Sequence, residues 1–312
     1  MTRTMKMSVL ALALIALVAA GPSRANARDY VLMLPVVKGL SMGSLSRLMD
    51  DFTKVMSAKL NVKFTMKEYS YPKGYKVSMD LLQQAKAGKA DFLYMDSIEY
   101  LLNKKEIDKV LTPYFTILML KKNQTDVCAY VKKDSPYKSM KDLKGKTWGG
   151  VETLPARYLM YMDGVKTPMA KFFGKLKYVN DADITKPLDA IIAGDIDVYV
   201  TSSFIVEMAK GAKDVYRKDM RELSCETYEH NWIFFHKNDV PEDMAKKVKT
   251  ALLRAHKDKD FAQFQFLLKA IQGNFADFEF KNMGHTAKVA KLIVDNGWLD
   301  EEQAFLKPYL KK

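Results

Sequence analysis

The chain has 312 residues, 48% of them hydrophobic and 28% charged, with a formal net charge of +13 at pH 7. That length suits two domains or one two-lobed domain with sizeable cores, and no internal repeat or low-complexity segment interrupts it. The lysines stand in ones and twos ("LKKN", "VKKD", "AKKVKT") with no arginine-rich or glycine–aromatic block, which reads as a solvated surface and excludes a nucleic-acid footprint.

Residues 1–27 combine Arg3 and Lys6, an apolar run from Val9 to Ala20, and Ala25-Asn26-Ala27. A basic start, an apolar centre and an A-x-A site predict a secretory leader cleaved after Ala27 and a soluble, periplasmic mature protein. The apolar run is about a dozen residues, short of the roughly 20 that span a bilayer. "YVLMLPVV" (30–37) then predicts a buried strand, followed by the loop "KGLSMG". Leu45, Leu48, Met49, Phe52, Val55, Met56 and Leu60 recur at helical spacing, so "SLSRLMDDFTKVMSAKL" predicts an amphipathic helix. "VKFTMKEY" predicts a strand, "YPKGY" a turn, and "KVSMDLLQQAKAGK" a helix stopped at Gly88. "ADFLYM" is the next strand, and a helix starts at Asp96 or Ser97.

After residue 120 the alternation continues. "DVCAYVKK", "KTWGGV", "KLKYV" and "IDVYVT" predict strands, with helices over "PARYLMYMDG", "ITKPLDAIIAGD" and "SSFIVEMAKG". "NWIFFHKN" predicts a late strand, and the remaining periodic segments ("PEDMAKKVKTALLRAHKD", "KDFAQFQFLLKAI", "HTAKVAKLIVDNG") predict helices. Such alternation predicts an α/β architecture with mostly parallel sheets covered by helices.

Chemistry-bearing motifs are absent. There is no G-x-S-x-G, no H-E-x-x-H, no phosphate loop and no suggestive Cys–His pair, so the expectation is a protein that is not an enzyme and holds no cofactor. His230 and His236 lie six apart and His256 and His285 stand alone, which predicts no metal site. Cys128 and Cys225 leave two alternatives open: export permits a disulfide, and Cys128 in "DVCAYV" also reads as a small apolar strand residue.

Four segments follow one another in the order "QQAKAGKADFLYM", "SPYKSMKDLKGKTWGGV", "PLDAIIAGDIDVYV" and "HNWIFFHKNDVPEDMAKKVKTALL". Together they resemble the type 2 periplasmic solute-binding proteins of ABC transporters, closest to their phosphate/phosphonate-binding branch. The resemblance implies a two-lobed fold, each lobe a mostly parallel sheet flanked by helices, joined by two hinge crossings. The first lobe is expected at 28–131 plus 231–312 and the second at 138–228, with hinges near 132–137 and 229–231. It implies a monomer that closes on a small-molecule ligand and then docks on a membrane permease, without bond-making chemistry.

Ligand contacts are expected where strands run into helix starts, since the first amides of a helix lack internal partners. These places supply Ser41 after the first strand, Asp96 and Ser97 after "DFLYM", and Thr201 and Ser202 after "DVYV". Tyr94 stands where the branch often carries a pocket tyrosine. The branch also places a serine–threonine–serine cluster at the second lobe's helix start, and the matching residues here are Val151-Glu152-Thr153-Leu154, with Arg157 a turn later. Thr153 keeps a hydroxyl, whereas Glu152 beside a bound dianion would cost roughly several kcal/mol at an effective dielectric near 20 unless it pairs with Arg157. Two ligand readings follow: a phosphate- or phosphonate-like oxyanion, or a neutral, cationic or largely apolar molecule such as a lipid or sterol, handled by a carrier or sensor.

Overall fold

The computed structural model describes residues 28–37, 43–71, 76–180 and 183–310. The predicted leader and Ser41 lie outside them. Two mixed sheets, each covered by helices on both faces, make up the α/β fold.

The first sheet has six strands in the order β11-β4-β10-β3-β1-β2. These are β1 (Tyr30–Val37), β2 (Phe64–Tyr71), β3 (Phe92–Met95), β4 (Leu111–Leu118), β10 (Ile233–Lys237) and β11 (Asn274–Asp277). Strand β1 runs parallel to β2 and β3, while β10 is antiparallel to β3 and β4. The second sheet has the order β7-β6-β8-β5-β9. Its members are β5 (Gln124–Lys132), β6 (Thr147–Gly150), β7 (Lys175–Tyr178), β8 (Val198–Ser202) and β9 (Met220–His230).

The longer helices are α1 (Gly43–Leu60), α2 (Ser78–Lys86), α3 (Ser97–Leu102), α4 (Leu154–Met162), α5 (Thr185–Ala193), α6 (Ser203–Ala212), α7 (Glu242–Arg254), α8 (Ala262–Ala270), α9 (Gly284–Asp295) and α10 (Trp298–Leu310). On one face of the first sheet, Phe52 and Met56 of α1 and Val248 and Leu252 of α7 pack with Phe92, Phe115 and Phe275. On the other, Leu81, Leu82 and Ala85 of α2 cover Met33, Leu93 and Phe235. Each such buried Val, Leu, Met or Phe side chain contributes about 1.5–3 kcal/mol.

The chain changes sheets between β4 and β5 and again between β9 and β10. The expected first hinge at 132–137 is therefore corrected: β5 belongs to the second sheet, and the crossing is the short link Met119–Asn123. The physical reason is in β5 itself. Val127, Cys128, Ala129, Tyr130 and Val131 are all buried, so this strand needs cover on both faces and neighbours on both edges. It finds them between β8 and β9. The second crossing is at Asn231–Trp232, next to the expected place. The two links are stitched together there, since the Asn231 amide N–H donates to the Asn123 carbonyl (3.0 Å) and Asn231 Nδ2 to the Lys122 carbonyl (2.8 Å).

The C-terminal helices also depart from expectation. Residues 231–312 were expected with the first lobe, but Val289 and Ile293 of α9 and Trp298 of α10 share a core with Trp148, Leu154, Tyr158 and Val198 of the second sheet's layer. Their apolar faces complete that core. Cys128 and Cys225 sit opposite one another on β5 and β9 and form a disulfide.

Candidate functional site

Strand β6 ends in two glycines that let the chain pass through a tight place. A Cβ on Gly149 would meet Ile196 at 2.7 Å, and one on Gly150, whose φ is +156°, would meet the Trp148 ring at 2.8 Å. Val151 is then buried, and α4 begins at Leu154 with Thr153 as its N-cap. This is the helix start singled out by the sequence, and two of its amides are already taken. Thr153 N and Leu154 N donate to Glu302 Oε1 at 3.0 and 3.3 Å. Glu302, on α10, is only 2% exposed, and its other oxygen lies 3.3 Å from Lys76 Nζ.

Around this contact the fold assembles an acidic junction between the two sheets. Asp96 caps α3, its Oδ1 accepting from Ile98 N and Glu99 N at 2.9 Å. Glu99 is buried and accepts from Ser78 N at 2.8 Å. Glu229, at the end of β9, lies within 3.5 Å of Ser97 Oγ. Burial opposes the charge on Lys76, yet Glu302, Glu152, Glu99 and Asp96 overcome it and hold its pKa above that of a free lysine. Burial pushes the Glu99 carboxyl up to about 7, against the pull of Lys76 and with Asp96 adding to the rise. Burial also raises Glu229 well above the usual carboxylate range, and repulsion from and a hydrogen bond with Asp96 raise it further. One lysine thus faces five carboxylates: Asp96, Glu99, Glu152, Glu229 and Glu302.

Of the residues named from sequence, Asp96 and Glu152 meet in this junction and Thr153 N contributes to it. Ser97 is buried beside it and donates to the His230 carbonyl. Arg157 goes elsewhere: its Nε is 3.0 Å from Glu301 Oε2, Nη1 donates to the Thr167 carbonyl at 2.6 Å, and the guanidinium rests on the Trp298 ring. Thr201 lies within β8, paired in register with Cys128, and Ser202 caps α6 without a side-chain capping bond. Tyr94 is half-buried, donates to the Pro35 carbonyl at 3.1 Å, and stacks on Trp232 with ring centroids 5.2 Å apart. The antiparallel register of β3 and β10, with Ile233 beside Met95, brings Trp232 to the level of Asp96.

A profile of the family described as ABC transporter, phosphonate, periplasmic substrate-binding protein matches residues 39–279. The chain belongs to that family. Solved structures agree on the fold. A binding-protein component of an ABC phosphonate transporter from Pseudomonas aeruginosa is 14% identical, with a TM-score of 0.63 over 90% of this chain and 94% of that one. A phosphonate-binding protein from Prochlorococcus marinus, solved in complex with methylphosphonate, is 15% identical with a TM-score of 0.63, covering 86% of this chain and 99% of that one. The aliphatic sulphonate binding protein of Escherichia coli is 13% identical with a TM-score of 0.55, covering 87% of this chain and 89% of that one. No curated protein matches the sequence. The family is one of periplasmic substrate-binding proteins that serve membrane permeases, a transport role and not an enzymatic one. Among the described residues no helix is long and apolar enough to cross a membrane.

Lys76, Glu99, Glu229 and Glu302 were not foreseen. Glu229 stands within the expected second hinge, which was a usable signal. Glu302 follows Glu301 in an ordinary acidic helix turn, and no local pattern marks it.

Proposed function

We propose that this chain is the solute-capturing subunit of an ABC transporter, and that it takes a small molecule bearing a cationic group at the junction of its two sheets. Closure about the Met119–Asn123 and Asn231–Trp232 links would bring the two halves onto the solute and create the form that docks on the permease. The observation that carries the ligand class is the occupied start of α4: Glu302 already fills the amides an oxyanion would need, inside a set of five carboxylates. A phosphonate dianion about 6 Å from one ionised carboxylate is repelled by roughly 5 kcal/mol at an effective dielectric near 20. An ammonium group at the same place gains half that. Trp232, 43% exposed and stacked on Tyr94, supplies an aromatic face at the level of Asp96, a surface suited to a cation.

A second reading, a phosphonate or sulfonate ligand, is favoured by the family and by the similar structures of a methylphosphonate complex and an aliphatic sulphonate binding protein. It requires Glu302 to leave α4. Isothermal titration of the mature protein separates the two. Binding of choline or spermidine, with no heat from methylphosphonate or inorganic phosphate, supports the first. The reverse pattern establishes the second.

A further inference from the structure

We propose that Glu302 is the tethered occupant of an anion cradle, and that this one side chain keeps free oxyanions out of the junction. The proposal deepens the functional reading above and rests on it for why exclusion matters. The cradle itself can be tested without knowing the transported solute.

Two amides meet one carboxylate oxygen, since Thr153 N and Leu154 N donate to Oε1 at 3.0 and 3.3 Å. A cation meets the other, Lys76 Nζ at 3.3 Å. Helix α4 has nine residues, so its N-terminus offers both unpaired N–H groups and a favourable dipole to a negative charge. An independent observation marks the same mouth as a binding place. Thr153 is fully buried at the N-cap position, and among the described residues its hydroxyl has no hydrogen-bond partner and makes no cap bond. The residue whose amide holds Glu302 thus also carries a buried donor that Glu302 does not use. Two amides and an ammonium fit a small oxyanion, a carboxylate included.

The tether is firm. Arg157 holds Glu301 at 3.0 Å, the Trp298 ring lies under the Arg157 guanidinium, Phe305 packs edge-on against Trp148, and Tyr309 stacks on Tyr178 at 4.2 Å. Glu302 is thus presented at a high effective concentration, and an external anion must displace it.

The experiment compares mature wild type, Glu302→Ala and Glu302→Gln, each titrated with acetate, inorganic phosphate and methylphosphonate against sodium chloride of equal ionic strength. Tm and calorimetric heat are read. Glu302→Ala is expected to melt lower in chloride, to regain Tm saturably with the oxyanions, and to bind them at least about tenfold more tightly than wild type. Glu302→Gln, whose amide still fills the space, should respond no more than it does to chloride. Equal responses from all three proteins would overturn the proposal. Where Glu302→Ala does not accumulate folded, its refolding yield is read instead: recovery with acetate but not chloride supports the cradle, and no recovery rejects it. The solute reading fails separately, on wild type alone. Capture of methylphosphonate there overturns that reading and leaves the cradle to be judged by the gain of Glu302→Ala over wild type.

Discussion

The Lys76 ammonium and the Glu302 carboxylate lie 3.3 Å apart, joining the approach to α2 on the first sheet to the C-terminal helix packed on the second. Glu302 is 2% exposed and Lys76 35%, so the pair is buried on one side only. Replacing Lys76 by Met leaves a buried carboxylate with amides but no cation. Removing one partner of a fully buried pair costs about 3–5 kcal/mol, and the half-open lysine brings the expected loss down to about 2–3 kcal/mol. Urea unfolding measures it. The Lys76→Met/Glu302→Gln double variant should recover most of the loss, because no unpaired charge remains; strictly additive losses would show that the two side chains do not interact.

The acidic junction makes stability depend on pH in a defined direction. Glu99 is buried, and its carboxyl is pushed up to about 7 in the folded protein from an ordinary 4.5. The folded state then holds a proton that the unfolded chain has released, so the contribution of Glu99 to stability is fully present below pH 4.5 and is lost as pH rises through 7. Glu99 alone contributes a loss of up to about 3 kcal/mol across that window, and Glu229, raised in the same direction, adds to it. Lys76 and the Ser78 amide favour ionised Glu99, whereas Asp96 disfavours it. Urea midpoints at pH 5 and pH 7.5 should therefore differ in wild type and converge in Glu99→Gln. A Glu99→Gln variant with the full wild-type pH dependence would place the titration elsewhere.

Legibility from sequence followed the locality of the signal. Strands β1, β3, β6 and β8 are short apolar runs closed by turns, and each is present. Strand β4, "LTPYFTIL", escaped because Pro113 breaks its pattern, and β9, "MRELSCETYEH", because its charged members hide a period of two. With β9 unread, nothing showed that β5 pairs with it, and so the first crossing between the sheets was expected too late. The site divides the same way. Asp96 and Glu152 were visible because they adjoin helix starts, a local feature. Glu302 meets them only through the packing of α10 on α4, a long-range event that neighbouring residues do not encode. Arg157, a turn beyond Glu152 and an expected ligand contact that could also pair with it, instead lies 3.0 Å from Glu301, a residue 144 positions away.

The Cys128–Cys225 disulfide closes a loop with a sequence separation of 97. Chain-entropy arguments give about 4.7 kcal/mol for a loop near 100 residues, and measured values for disulfides centre on about 2–4 kcal/mol. Because β5 and β9 are already paired along their length, the lower range is expected. Cys225→Ser should lower the unfolding free energy by about 2–4 kcal/mol, and wild type in excess reductant should match it. A reduced wild type with an unshifted urea midpoint would mean that the unfolded chain is already held compact.

Trp232 offers the most direct test of the aromatic side of the proposed solute site. Its ring is 43% exposed and stacked on Tyr94 at 5.2 Å, on the crossing link next to β10. Exposed to this degree, it adds little to the fold, and Trp232→Ala should change stability by no more than about 0.5–1 kcal/mol. A desolvated cation against such a face gains about 1–2 kcal/mol, so calorimetry should find cationic solutes binding some 5- to 30-fold more weakly to Trp232→Ala. Trp232→Phe, which keeps a smaller π-face, should fall between the two. If all three proteins bind choline or spermidine equally, the ring lies outside the contact and the carboxylates alone select the charge.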